Sequence, residues 1–170
     1  MELAQPSNRK PIIYGGFTWI ELLMALVIMA TGFLLALPSL QASYERNHME
    51  TRLGEIETIL RFARSQSLIQ NQPLALTPLP AANDWAKGMI LFTDNAKHTY
   101  QPDSKIFHEW RWRASDLQIT WHGFYAKHYL IFADNLCESA MNGYFLIKNK
   151  TQQYKLIVNR LGRVRRTLIS

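Results

Sequence analysis

An almost uninterrupted apolar run from Ile20 to Leu40 limits what this chain can fold into more than any other feature. The residues in the run that oppose burial in hydrocarbon are Glu21 and, more weakly, Thr31, Gly32, Pro38 and Ser39. A helix needs about 20 apolar residues to cross a bilayer. Because Arg9 and Lys10 precede the run, the positive-inside bias places residues 1–16 in the cytoplasm and the chain after residue 40 on the far side. The sequence therefore predicts a single membrane anchor with most of the chain outside.

The remainder is long enough for one domain with its own core, because the chain has 170 residues and 48% of them are hydrophobic. The single cysteine, Cys137, cannot form an internal disulfide, so a domain outside the cytoplasm must rely on its core alone. We interpret Cys137 as a small buried hydrophobic residue.

The chain is basic, with a formal net charge of +6. Residues 1–16 carry one acidic and two basic residues, so +5 remains without them. A basic domain outside the cytoplasm indicates an anionic partner, such as nucleic acid or lipid headgroups.

The head of the apolar run carries the string "GGFTWIEL", with Glu21 inside it. A carboxylate near the membrane interior costs roughly 2.5–3.5 kcal/mol, so Glu21 is a functional candidate. The alternative is an interfacial glutamate that reaches the headgroups. Gly16 lacks a Cβ atom and would leave the backbone open to a peptidase.

This string resembles the type IV prepilin signature, although Trp19 stands where that family more often has leucine. The resemblance implies that residues 1–16 are a leader, removed by a prepilin peptidase that cuts between Gly16 and Phe17. It also implies that Phe17 is N-methylated. Glu21 would then pair with the new N-terminal amine of a neighbouring subunit. Residues 17–40 would be the transmembrane and assembly helix, held in the inner membrane before assembly with major and minor pilins.

Residues 41–72 are predicted to continue this helix in amphipathic form, because apolar residues recur at steps of three and four. The predicted core face contains Met49, Leu53, Ile56, Leu60, Ala63 and Ser67, with Ile59 and Phe62 beside it. Glu57 and Arg61 are expected to form a solvated ion pair on the outer side. Gln72-Pro73 should end the helix, since the residue before proline disfavours the helical conformation.

After Pro73 the apolar period becomes two, which is typical of strands. Strands are predicted near residues 74–79, 88–94, 105–113, 116–122, 127–133, 143–148 and 154–159. Trp110 and Trp112 should share one face and Arg111 and Arg113 the other. One long helix followed by strands predicts an α+β fold, with the helix packed on antiparallel sheet and residues 73–170 forming a β-rich domain.

Two further strings resemble the FimT/GspH branch of minor pilins and pseudopilins. They are Ala63-Arg64-Ser65 at the end of the helix and Trp85 to Gly88 at the start of a strand. The resemblance supports the type IV pilin fold for nearly the whole chain after residue 16.

The C-terminal segment "NRLGRVRRT" carries four arginines within seven residues, grouped around Gly162. If residues 163–167 are extended, Arg163 and Arg165 point to one side, about 6.5–7 Å apart, while Val164 and Arg166 point to the other. Arginine forks suit phosphate oxygens, and Gly162 would let backbone amides approach the same phosphates. The segment predicts a DNA-binding element formed by Arg160, Gly162, Arg163, Arg165 and Arg166.

The Gly-Arg-x-Arg element resembles the one that FimT-type pilins use to bind DNA in natural transformation, whereas related pseudopilins have Gly-Arg here as a structural hairpin. Lys148, Lys150 and Lys155 could extend the basic patch or be solvated strand residues. Binding would be sequence-independent, and with about four phosphates neutralised log affinity should fall with log salt at a slope near −3.6.

Other classes of function have less support in the sequence. His98, His108, His122 and His128 lack the spacing of a metal site. The Trp110–Arg113 ribbon could stack on bases, but is more typical of a core face. Since the chain shows no catalytic motif and no cofactor motif, we predict a non-enzymatic minor pilin that binds DNA. The alternative is a tip minor pilin, or a pseudopilin of type II secretion, without DNA binding.

Overall fold

The computed structural model describes Gly16 and residues 18–113, 116–133, 135, 139–150 and 152–169. Within its helix, the side chains of residues 34–42 are outside the description. The elements are α1 Trp19–Gln70, β1 Leu74–Pro78, β2 Gly88–Thr93, β3 Ile106–Arg111, β4 Gln118–Gly123, β5 Leu130–Phe132, β6 Gly143–Lys148, β7 Gln153–Val158 and β8 Val164–Ile169. Every strand predicted from the sequence is present, and the α+β prediction is confirmed.

Both ends of α1 follow from local sequence. At its N-terminus, Thr18 and Glu21 form a capping box: Thr18 N donates to Glu21 Oε2 at 2.8 Å, and Glu21 N donates to Thr18 Oγ1 at 3.4 Å. At its C-terminus, Asn71 adopts a positive φ of 50°, a conformation that stops a helix. The end predicted at Gln72-Pro73 is therefore confirmed to within two residues, the helix ending at Gln70.

The chain divides into two compact units, Met1–Glu45 and Arg46–Ser170. In the first unit, the described side chains of residues 18–33 are exposed. Within the described part of the chain, no helix is both long and apolar enough to cross a membrane. The span expected for residues 17–40 stays a prediction, because Phe17 and the side chains of residues 34–42 lie outside the description.

The second unit contains two antiparallel four-stranded sheets. The order in the first sheet is β3-β2-β1-β5, and the order in the second sheet is β4-β6-β7-β8. The edge strand β8 pairs only with β7 among the described strands, in a register that sets Val158 opposite Val164 and Ile157 opposite Arg165.

One core joins both sheets to the helix. The predicted helix face is confirmed, since its six residues from Met49 to Ser67 are all buried. Phe145 in β6 lies at the centre of the core, with its ring 5.3 Å from that of Trp85 and 4.7 Å from that of Trp121. Trp110 and Trp112 pack partly buried against this core, as predicted, while Arg111 and Arg113 are exposed. Because the core covers only one face of the second sheet, its other face is left outward.

Candidate nucleic-acid interface

A tight turn at residues 159–162 joins β7 to β8 and aims the C-terminal arginines. Asn159 Oδ1 accepts from the backbone N of Leu161 at 3.0 Å and of Arg163 at 2.8 Å, and Gly162 N donates to the Asn159 carbonyl at 2.9 Å. Gly162 has φ of 77°, which favours glycine. These three amides are therefore already satisfied. The expectation that Gly162 presents backbone amides to phosphates therefore has no support from this geometry, in which Gly162 shapes the turn.

The side chains of β8 alternate as the sequence predicted. Val164 packs against the core, and Arg166 lies on the same side of the strand. Arg165 stands opposite Ile157 on the outward face and is exposed. Arg163 precedes the strand and is also exposed; its carbonyl accepts from Asn159 N at 3.1 Å, which continues the ladder by one residue. By alternation Arg163 shares the outward side with Arg165.

Arg166 faces α1 and is held there by two carboxylates. Its Nε donates to Glu57 Oε1 at 2.6 Å, and a terminal nitrogen donates to Glu57 Oε2 at 3.0 Å. The other terminal nitrogen donates to Glu50 Oε2 at 3.0 Å. Hydrogen bonding to Glu57 raises the pKa of the Arg166 guanidinium above its usual value. The fork of Arg166 is thus engaged by protein carboxylates, so this geometry gives no support to its predicted place in the DNA-binding set.

The same contacts change the expected role of Glu57. Arg61 lies 3.9 Å from Glu57 Oε2, so a pair exists, but the Glu57 side chain is only 16% exposed and is bonded chiefly by Arg166. The predicted Glu57–Arg61 pair is therefore present, with Arg61 in solvent, but its carboxylate is largely covered instead of solvated. A carboxylate on this side of the helix is covered by the edge strand of the second sheet.

Arg160 contacts an aromatic ring instead of standing free. Its guanidinium carbon is 5.9 Å from the ring centroid of Tyr125, in the loop between β4 and β5. Its Nε atom is enclosed and lacks a hydrogen-bond partner among the described residues. Arg160 therefore joins this loop to the β7–β8 turn.

Three cations form a diagonal line across the outward face of the second sheet, which we call the outer stripe: Arg165 in β8, Lys155 in β7 and Lys148 in β6. Arg165 pairs with Ile157, two residues from Lys155, and Lys155 pairs with Leu146, two residues from Lys148. Diagonal neighbours of this kind lie about 7–8 Å apart. Arg163 extends the stripe beyond the end of β8. The stripe and its extension thus bring together two of the arginines predicted to bind DNA, Arg163 and Arg165, and two of the lysines predicted as a possible extension of the patch.

The remaining lysine of the prediction behaves differently. Lys150 Nζ lies 3.1 Å from Asp116 Oδ2, and both side chains are mostly exposed. An exposed pair of this kind is weak, yet the Asp116 carboxylate offsets the positive charge of Lys150 locally. We therefore leave Lys150 outside the stripe.

Aromatic rings lie beside the outer stripe and were not singled out in the sequence. His122 and Tyr144 are register partners and stack with their centroids 4.9 Å apart. Lys155 Nζ lies 3.9 Å from the Tyr144 ring centroid, so this ring supports the central cation of the stripe. His122 and Tyr144 alternate with the buried residues Trp121 and Phe145, so the sequence pattern indicates that they lie on the other face of the sheet. The pattern does not show that this face is basic.

The predicted processing and assembly residues lie in the first unit. Gly16 is exposed with open space around its Cα, whereas Phe17 and residues 1–15 are outside the description. Glu21 is exposed, and its carboxylate also accepts from Thr18 Oγ1 at 3.0 Å. The Thr-x-x-Glu signature of this cap was present in the sequence and was missed.

The histidines do not converge. His98 lies 2.8 Å from Asp94, His108 contacts Phe62 and Trp110, and His122 stacks on Tyr144. In the part of the chain that the structure describes, no three His, Cys, Asp or Glu residues are placed to hold a metal ion. Cys137 lies outside that part.

Comparison with known families decides the class of protein. The model of the family described as "Type II transport protein GspH" matches residues 53–162, which is more than half of the chain. The chain belongs to the GspH family. This family match covers the end of α1, the strands β1 to β7 and the β7–β8 turn but ends before β8, and it makes the chain a minor pilin or pseudopilin. No curated protein matches the chain significantly by sequence.

Solved structures show the same fold for this GspH-family protein. The type IV minor pilin FimU of Pseudomonas aeruginosa PAO1 superposes with a TM-score of 0.54 at 20% identity, over 74% of this chain and 91% of FimU. A second crystal form of FimU gives a TM-score of 0.51 at 17% identity, over 69% and 91% of the two chains. The type IV pilin fold predicted from the sequence is confirmed.

Proposed function

We propose that this GspH-family protein is a minor type IV pilin that binds DNA without sequence preference and supports DNA uptake in natural transformation. The observation that carries the proposal is the outer stripe. Arg165, Lys155 and Lys148 lie on one face of one sheet, and Arg163 continues the line. Cations about 7–8 Å apart can neutralise several phosphates of one backbone at once.

The charge distribution supports contact with phosphates over contact with protein carboxylates at this face. Arg166, the arginine that does bind carboxylates, points to the opposite side of β8. Arg163 and Arg165 are exposed, and no ion pair is found for them among the described residues. No helix of the second unit is presented to enter a groove, so the contacts would position DNA without reading bases.

The test is a salt titration of duplex binding. The full chain in non-ionic detergent is mixed with a short fluorescent duplex, and anisotropy is followed between about 50 and 200 mM salt. Four contacts predict a log–log slope near −3.6, which is roughly a hundredfold loss over this range. Arg163→Gln with Arg165→Gln should weaken binding and bring the slope to about −1.8. A matched control, Arg61→Gln with Arg113→Gln, removes the same charge elsewhere and should keep the slope.

Assembly is proposed from the first unit and the family. A prepilin peptidase removes residues 1–16 after Gly16, and Phe17 becomes the methylated N-terminus. The residues 17–40 hold the protein in the inner membrane, with the second unit in the periplasm, until it joins a pilus. Glu21 then pairs with the N-terminal amine of a neighbouring pilin. Mass spectrometry of the mature N-terminus tests the cleavage and the methylation together.

The second candidate is a purely structural tip pilin or a type II secretion pseudopilin. The observation that favours it is the use of Arg166, Arg160 and Gly162 within the fold. In that case the duplex would bind weakly, and the two arginine substitutions would have no more effect than the Arg61 and Arg113 control. The salt titration therefore separates the two functions directly.

A further inference from the structure

The exposed rings at one end of the second sheet are not explained by the core or by duplex binding. Phe124 and Tyr125, in the loop after β4, are 81% and 68% exposed. Adjacent aromatic side chains that are this exposed to water form an apolar patch, and such patches commonly mark interaction sites. Trp85, Trp110 and Trp121 of the second unit, by contrast, pack on the core.

This loop lies at the same end of the sheet as the arginine turn. Gly123 pairs with Gly143, Gly143 with Val158, and Val158 with Val164. One residue further, Phe124 N donates to the Asn142 carbonyl at 2.9 Å, and Asn159 N donates to the Arg163 carbonyl at 3.1 Å. Phe124 and Arg163 therefore stand at the two sides of one sheet end, three strand spacings or roughly 14 Å apart.

A direct contact fixes the loop to the turn. Arg160 lies over the ring of Tyr125, with its guanidinium carbon 5.9 Å from the centroid. This cation–π contact orients one ring beside the positive turn while most of its surface stays open. Aromatic faces next to a line of cations are the combination by which proteins hold single-stranded nucleic acid: the rings stack on bases and the cations neutralise phosphates.

We propose that Phe124 and Tyr125 form a base-stacking site for single-stranded DNA that continues the outer stripe. The inference rests on the proposed function, because Arg163 and Arg165 supply the phosphate contacts. Duplex bases are already stacked on one another and cannot reach these rings, whereas an unpaired strand lays its bases on them. The site therefore makes the protein prefer single-stranded over duplex DNA at equal phosphate charge.

The experiment compares three probes with equal numbers of phosphates, using the full chain in non-ionic detergent: a single-stranded oligothymidylate, an abasic strand and a duplex. Phe124→Ala with Tyr125→Ala should lower affinity for the oligothymidylate about fivefold or more. It should leave affinity for the duplex and the abasic strand unchanged. Tyr125→Phe keeps the ring and should retain binding. Tyr44→Ala removes a tyrosine that is 72% exposed in the other unit and serves as the matched control.

Each other outcome overturns the inference. Equal loss on all three probes would mean that the rings act only through the turn, and no loss on the oligothymidylate would mean that bases do not stack there. Loss of the protein from sheared pili with unchanged oligothymidylate binding would assign the rings to a pilin contact. Failure of the proposed function looks different, because Arg163→Gln with Arg165→Gln would then leave duplex binding unaltered.

Discussion

Arg166 clamps Glu57 with two parallel hydrogen bonds, of 2.6 Å from Nε and 3.0 Å from a terminal nitrogen, and so fastens the last strand to the helix. Glu50 accepts a third bond from the same guanidinium. The geometry is the fork that guanidinium and carboxylate form best. The arginines after Gly162 therefore lie on two sides of the strand: Arg166 holds the fold together, whereas Arg163 and Arg165 face solvent.

The clamp predicts a loss of stability when it is removed. Arg166→Gln should lower the free energy of unfolding by about 1 kcal/mol, a modest value because both side chains are partly exposed and water screens the pair. Since the pKa of Arg166 is raised, the contribution of its protonation is present below the usual arginine pKa and is lost as pH rises through the raised value, beyond ordinary working pH. Urea unfolding measures the change, and Arg165→Gln is the matched control with no expected shift. Equal midpoints for the two variants would contradict the clamp.

The alternation of side chains along β8 was predictable from the sequence, but the contact of its inner face with Glu57 was not. Alternation along a strand depends on neighbouring residues alone, and it separated Arg165 from Arg166 correctly. The meeting of Arg166 with Glu57 spans 109 positions of the chain, and no local period reports a contact of that range. Helix spacing predicted the Glu57–Arg61 pair, but it could not show that β8 covers the Glu57 carboxylate.

The strands of the second unit were predicted well because each buried face repeats every second residue. The outer stripe needed more, since it depends on the register of three strands. Lys148 and Lys155 line up with Arg165 because of the observed register. Arg165 lies opposite a residue two positions from Lys155, and Lys155 lies opposite a residue two positions from Lys148. Single-strand patterns contain no register, and so the lysines could only be named as a possible extension of the patch.

A second stability prediction concerns Gly54 in the middle of α1. A Cβ atom added there would meet only a terminal nitrogen of Arg166, at 3.9 Å, which is an ordinary contact. Because glycine in a helix interior costs about 0.8–1.0 kcal/mol relative to alanine, Gly54→Ala should raise the free energy of unfolding by about that amount. Gly162→Ala is the opposite case: an added Cβ atom would make an ordinary contact with Arg64 at 3.6 Å, but φ of 77° is unfavourable for alanine, so stability should fall by about 1 kcal/mol. Stabilisation by both substitutions, or by neither, would contradict these assignments.

The stripe predicts different salt slopes for lysines of equal charge. Lys148→Gln and Lys155→Gln should each reduce the log–log slope of duplex binding by about 0.9, the value for one phosphate contact. Lys150→Gln should leave the slope unchanged, because Lys150 pairs with Asp116. Anisotropy titrations of the three single variants make the comparison. Equal slope changes in all three variants would contradict specific contacts at the stripe and would indicate a general effect of net charge.

The last prediction separates two roles of Glu21. Its carboxylate caps α1 together with Thr18, and the proposed assembly uses the same carboxylate to pair with a neighbouring amine. Glu21→Gln keeps a side chain that can complete a capping box but loses the charge, whereas Thr18→Ala loses the cap and keeps the charge. If ion pairing drives assembly, Glu21→Gln should be absent from sheared pili and Thr18→Ala should be present at near wild-type amounts. Immunoblots of pili and membranes measure both, and the reverse distribution would assign Glu21 to helix capping alone.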